Sequence, residues 1–167
     1  MDLRAVQRPL KEKYRSDPST SRIRLEARAS QSTLPVSCSI DIGRAVYAAE
    51  AHRGVGGPGT GACSGDLLLG ALAACAQITC QMVAAAMGVP VRNVEVVVSG
   101  ELDLRGTLGI SRDVPIGFER INCRYEIDAP EALPEQIAAL RERTERYCVV
   151  FQTLSVPPRV ESTWSIR

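Results

Sequence analysis

The stretch SGDLLLGALAACAQITCQMVAAAMG, Ser64–Gly88, decides how this chain is read. No charge occurs between Leu67 and Val91, and alanine and leucine, both strong helix formers, dominate. Ser64 is placed to cap the start, and Asp66 puts a negative charge in the first turn, where the helix dipole favours it. Gly88 suits the residue just past the end, and Pro90 prevents continuation. These signals predict a helix from Ser64 to about Met87. An uncharged run of this length also fits a membrane span. Against that, Gln77, Thr79 and Gln81 interrupt it, and no aromatic belt or basic flank brackets it. The expectation is a helix buried inside a soluble protein, since a helix apolar on all sides is a core helix.

The flanking segments read mostly as strands. Ile23, Leu25, Ala27 and Ala29 alternate with Arg22, Arg24, Glu26 and Arg28. Val36, Cys38, Ile40 and Ile42 repeat the pattern, so Ser30–Pro35 is expected to join a hairpin. Gly43–Ala51 is a third candidate strand. Val94–Leu104, Ile121–Ile127 and Val160–Ile166 are further strands by the same alternation. Pro134 opens a second helix through Tyr147, followed by a short helical piece over Val149–Leu154. Near the N-terminus Pro9 opens a short polar helix ending before Asp17-Pro18. Strands grouped in runs around helices give an α+β class. The organisation expected is an N-terminal segment, 1–20, and one domain, 21–167.

Composition narrows the function. The chain has 167 residues, enough for a sizeable core, and a net charge of +1. That charge recruits neither nucleic acid nor an anionic membrane, and aromatics at 4% supply no base-stacking surface. Six cysteines occur in a chain whose first residues are charged and lack an apolar signal core. A reducing, cytoplasmic setting is therefore expected, where cysteines are catalytic, metal-bound or buried.

Several chemistries fail on spacing. The glycine-rich stretch Arg53–Asp66 lacks the Lys-Ser or Lys-Thr of a phosphate loop, and Gly57, Gly59 and Gly61 do not make GxGxxG. It reads as a loop leading into the helix. His52 is the only histidine and no CxxC pair exists. Cys75 and Cys80 diverge by roughly 140° on a helix, so they do not share one ion, and no metal or cofactor is expected. A GxSxG elbow is missing.

Thiol chemistry is left. Cys75 shares a helix face with Leu68, Ala71, Leu72, Thr79 and Met82. Cys148 extends the Thr144 face of the second helix. Packing of these two faces permits the thiols to meet, and a disulfide needs Cα atoms roughly 4.4–6.8 Å apart. Ordinary core packing is the competing reading, and it is the better one for Cys38, Cys80 and Cys123. Cys63, just before the helix, is the harder case, where a secondary redox role stays open beside ordinary packing.

The helix LLLGALAACAQIT and the later ERYCVVFQTL resemble the two signature segments of the osmotically inducible protein C (OsmC) and organic hydroperoxide resistance (Ohr) superfamily. The similarity runs from about Ile23 to the C-terminus. It implies a curved antiparallel sheet on a long buried central helix, in an intertwined homodimer with active sites at the subunit interface. It also implies a peroxidase: Cys75 attacks an organic hydroperoxide, Cys148 resolves the sulfenic acid as a disulfide, and an external dithiol such as a lipoylated protein restores both. Similar proteins add an arginine upstream of the glycine loop and a carboxylate early in the helix. Arg44 and Arg53 are both candidates for the first, with His52 a further possibility, and Asp66 is the nearest carboxylate. The chain departs from the pattern twice. Gly65 stands where the family's Asn-Pro-Glu has its glutamate, and Cys148-Val149 replaces Cys-Pro. Two other readings stay open: a non-enzymatic relative that senses oxidation or binds an apolar ligand, and a cysteine-nucleophile transferase.

Overall fold

A computed structural model of the chain describes residues 3–24, 27–31, 37–42 and 45–166. In order, the elements are α1 (Leu3–Ser16), β1 (Arg28–Gln31), β2 (Ser37–Asp41), β3 (Val46–Glu50), α2 (Ser64–Met87), β4 (Asn93–Glu101), the single turn α3 (Leu104–Thr107), β5 (Arg120–Asp128), α4 (Pro134–Tyr147) and α5 (Val149–Ser155). The class is α+β with antiparallel strands. Two compact units contribute: Met1–Ala71 with Val97–Arg124, and Leu72–Val96 with Tyr125–Arg167.

In the first unit, β1, β2 and β3 form a meander. Arg28 pairs with Asp41 and Gln31 with Cys38; Ser37 pairs with Glu50 and Asp41 with Val46. The register explains where the expected first strand stops short. The register between β1 and β2 ends at the Arg28–Asp41 pair, and among the described residues Arg22–Arg24 lie outside any strand. Alternation without a partner ladder does not make a strand. The loop expected over Ser30–Pro35 lies largely outside the described residues. Helix α1 is longer than Pro9 led us to expect, running from Leu3 with Pro9 inside it. One missing amide hydrogen does not end a helix otherwise built from Leu, Ala, Gln, Lys, Glu and Arg.

The glycine-rich loop is pinned at both ends. His52 Nδ1 accepts from the Gly54 N–H at 3.0 Å, capping a 3₁₀ turn over Arg53–Val55. The Glu50 carboxylate accepts from the Gly61 N–H and from Thr60 Oγ1. These donors, the Gly61 amide foremost, hold the Glu50 carboxyl below its ordinary range. Gly57 is obligatory between these anchors, because a Cβ there would sit 1.7 Å from the Ala51 carbonyl oxygen.

The second unit holds the thiols. Helix α2 ends as its sequence requires. Gly88 takes φ of 71°, and Val89 N–H and Gly88 N–H return to the carbonyls of Ala84 and Ala85. Buried Leu72, Ala76, Cys80, Val83 and Ala84 form one face of α2. Cys80, Val83, Ala84, Val89, Val94 and Leu140 make the core, with Tyr125, Ile127 and Ile137 packed against it. By length and composition α2 would suffice to cross a membrane, yet this face is covered by protein. The opposite side is not covered, as Ile78, 54% exposed, shows. A helix apolar on every side is thus buried on one side within the single chain.

Helix α4 begins at Pro134, with Gln136 Oε1 accepting from the Leu133 N–H at 2.9 Å. It stops at Tyr147, and Cys148 alone separates it from α5. The expected strand Val160–Ile166 is not formed: that segment is irregular, and Trp164 is 88% and Ile166 97% exposed. Among the described residues its alternation finds no neighbouring strand to complete a ladder.

Candidate thiol site

The site begins with Cys148. Its N–H donates to the Thr144 carbonyl at 3.0 Å, closing α4, and its carbonyl accepts from the Gln152 N–H at 2.9 Å, opening α5. With ψ of 108° it turns the chain between the two helices. Gln152 Nε2 donates back to the Glu145 carbonyl at 2.9 Å and ties the corner. The result is a fully buried cysteine, 0% exposed, at the start of a helix whose first amides lack intrahelical acceptors.

Cys75, partly buried on α2, faces this corner. Burial pushes its thiol up, but that push is outweighed. The Val150 amide, the Cys148 thiol, the Thr79 hydroxyl and the Val149 amide lie where they favour the charged sulfur, and together they hold its pKa below the ordinary cysteine range. Cys75 Sγ and Thr79 Oγ1 are 4.0 Å apart. Cys148 moves the opposite way: burial raises it, the Phe151 amide opposes, and the neighbouring Cys75 raises it further. Two adjacent thiols do not share two negative charges readily, so the first proton leaves from Cys75. Of the two, Cys75 is the one whose surroundings favour the thiolate, the nucleophilic form of cysteine.

The remaining cysteines sit differently. Cys80 is in the core; burial raises its thiol, and the Thr144 hydroxyl offsets this only partly. Cys63 gives both its amide, at 2.8 Å, and its thiol to the Asp66 carboxylate. Those two bonds, with a smaller effect from His52, hold the Asp66 carboxyl below its usual range. Asp66 therefore caps the first turn of α2, and Gly65 packs beside Cys63 and Phe118. Arg53 is exposed in the 3₁₀ turn with its stem against Gly59. Arg44 lies outside the described residues. Thus the structure brings together Cys75 and Cys148, while Asp66, His52 and Arg53 make their contacts in the loop and cap of the first unit. Among the described residues no cluster of three His, Cys, Asp or Glu side chains converges on a metal-sized site.

Sequence reasoning missed the donors to Cys75. We looked for a cation because Cys75 lies about three turns into its own helix, beyond that helix's dipole. The peptide amides come from a different helix. The available signal was Cys148 itself, a single residue between two helical patterns.

A family model described as OsmC-like protein matches residues 57–163, more than half of the chain. The chain belongs to the OsmC-like family. No curated protein matches the sequence. Solved structures of similar fold include an OsmC-like protein of Mycoplasma pneumoniae, 18% identical with a TM-score of 0.67, covering 81% of this chain and 89% of that one. An organic hydroperoxide resistance protein OsmC of Legionella pneumophila is 13% identical, with a TM-score of 0.59 and coverage of 80% and 90%. The organic hydroperoxide resistance protein OhrB of Bacillus subtilis is 17% identical, with a TM-score of 0.52 and coverage of 81% and 93%. At these identities the likeness is one of fold. The OsmC-like match takes in the end of the glycine loop, Cys75 and Cys148, and begins after both candidate arginines.

Proposed function

We propose that the protein is a thiol-dependent peroxidase that reduces organic hydroperoxides. The single observation carrying this reading is the placement of Cys148, at the corner between α4 and α5, beside Cys75 on α2, in surroundings that lower the Cys75 thiol and raise that of Cys148. The Cys75 thiolate attacks the outer oxygen of R–O–O–H. The O–O bond breaks, Cys75 becomes a sulfenic acid, and the alkoxide takes a proton from solvent and leaves as ROH. Cys148 then attacks the sulfenic sulfur; the S–S bond forms, and hydroxide leaves with the Cys148 proton as water. An external dithiol, of the kind carried by a lipoylated protein in a reducing cytoplasm, exchanges twice with this disulfide, becoming oxidised as both thiols return. Exposed Ile78, one turn from Cys75, and exposed Val149, next to Cys148, favour an organic R group over hydrogen peroxide. Arg44 and Arg53 are the candidate cations for the site, and Asp66 the candidate carboxylate.

The working form in this reading is an intertwined homodimer, its curved sheet packed on α2. Support comes from the apolar side chains left uncovered in one chain, Ile78, Trp164 and Ile166 among them. Sedimentation equilibrium should give twice the chain mass of 18.0 kDa; a single-chain mass would remove the dimer from the account.

Stopped-flow consumption of cumene hydroperoxide with excess dithiol tests the reaction. Cys75→Ser should lose turnover entirely, and Cys148→Ser should consume about one equivalent and stall. Full turnover by Cys75→Ser would end the proposal. Arg44→Met and Arg53→Met, measured alongside, assign the cation by which of them slows the burst.

A further inference from the structure

We propose that Thr79 is a positioning residue for Cys75, its hydroxyl donating to the sulfur and holding it toward the first amides of α5. Thr79 follows Cys75 by one turn of α2, the spacing that makes side chains neighbours on a helix face. Its Oγ1 is 4.0 Å from Cys75 Sγ, and both residues are half-buried. A helical threonine is confined to two rotamers, because its hydroxyl otherwise bonds the carbonyl one turn back. Here the hydroxyl is placed against the Cys75 sulfur. A neutral thiol needs no such donor, whereas a thiolate does, and the contact shortens as the sulfur gains charge.

The other donors, Val150, Val149 and Cys148, all come from the corner between α4 and α5. Thr79 is the donor supplied by the helix that carries Cys75. It therefore fixes the sulfur from its own side while the amides fix it from the other. This accounts for a β-branched polar residue in the middle of a long alanine-rich helix, where it is a poorer helix former than its neighbours.

The proposal rests on Cys75 acting as a thiolate, and its test is kept apart from peroxide turnover. Iodoacetamide labelling of Cys75, resolved by peptide mass spectrometry across pH, gives its titration in the wild-type protein, Thr79→Val and Thr79→Ser. Valine keeps the shape and removes the donor; serine keeps the donor. The midpoint should rise by about one pH unit in Thr79→Val and return close to wild type in Thr79→Ser. A Thr79→Val midpoint equal to wild type overturns the proposal, and so does a Thr79→Ser midpoint that moves as far as valine's. Failure of the peroxidase reading would appear separately, as wild-type protein that titrates normally and consumes no hydroperoxide.

Discussion

Cys75 and Cys148 are the same residue type in contact with one another, and their surroundings give them opposite tendencies. Cys75 is favoured as the anion by two peptide amides, a hydroxyl and a thiol; for Cys148 burial and the neighbouring Cys75 outweigh the amides of Phe151 and Val150. The sign of the pH dependence follows. A thiol with a lowered pKa is ionised at pH values where free cysteine, near about 8.5, is mostly protonated. In the wild-type protein the labelling midpoint of Cys75 should therefore fall below that of a free cysteine, and the midpoint of Cys148 above it. Equal midpoints for the two would contradict the assignment of attacking and resolving roles. Spacing in the sequence permitted the two thiols to meet, and their pairing was implied by the resemblance to the OsmC and Ohr superfamily. The donors were not legible, because backbone amides have no letter in a sequence, and it takes the turn at Cys148 to aim them.

At the scale of elements, α2 and α4 were legible to the residue, because each carries its own stop and start signals: Gly88 past one end, Pro134 at the other's beginning. Strands were legible only where a partner exists. Among the described residues, Arg22–Arg24 and the segment Val160–Ile166 alternate in sequence but lie in no strand. The joint between α2 and α4 is Leu140, 0% exposed, in the cluster with Cys80 and Val83. Leu140→Ala should cost about 2–5 kcal/mol of stability by the loss of buried methyl groups and the cavity left behind. Chemical denaturation checks this, and a change under about 0.5 kcal/mol would mean that the joint repacks without it.

For the whole molecule, the α+β class was legible from the order of strands and helices and the family from the two cysteine-bearing segments, and both are matched by the family model and by similar solved folds. What covers the free side of α2 and the extended C-terminal residues was not legible, since a sequence records one chain and its apolar residues do not name their partner. The account as a whole depends on the two sulfurs reacting as a unit. The most direct measurement is peptide mapping of the protein after one equivalent of cumene hydroperoxide, quenched by acid without added reductant. The account predicts a single new Cys75–Cys148 disulfide formed in proportion to the alcohol released. Alcohol released while Cys75 and Cys148 both remain free thiols, or a disulfide linking Cys75 to another cysteine, would contradict it.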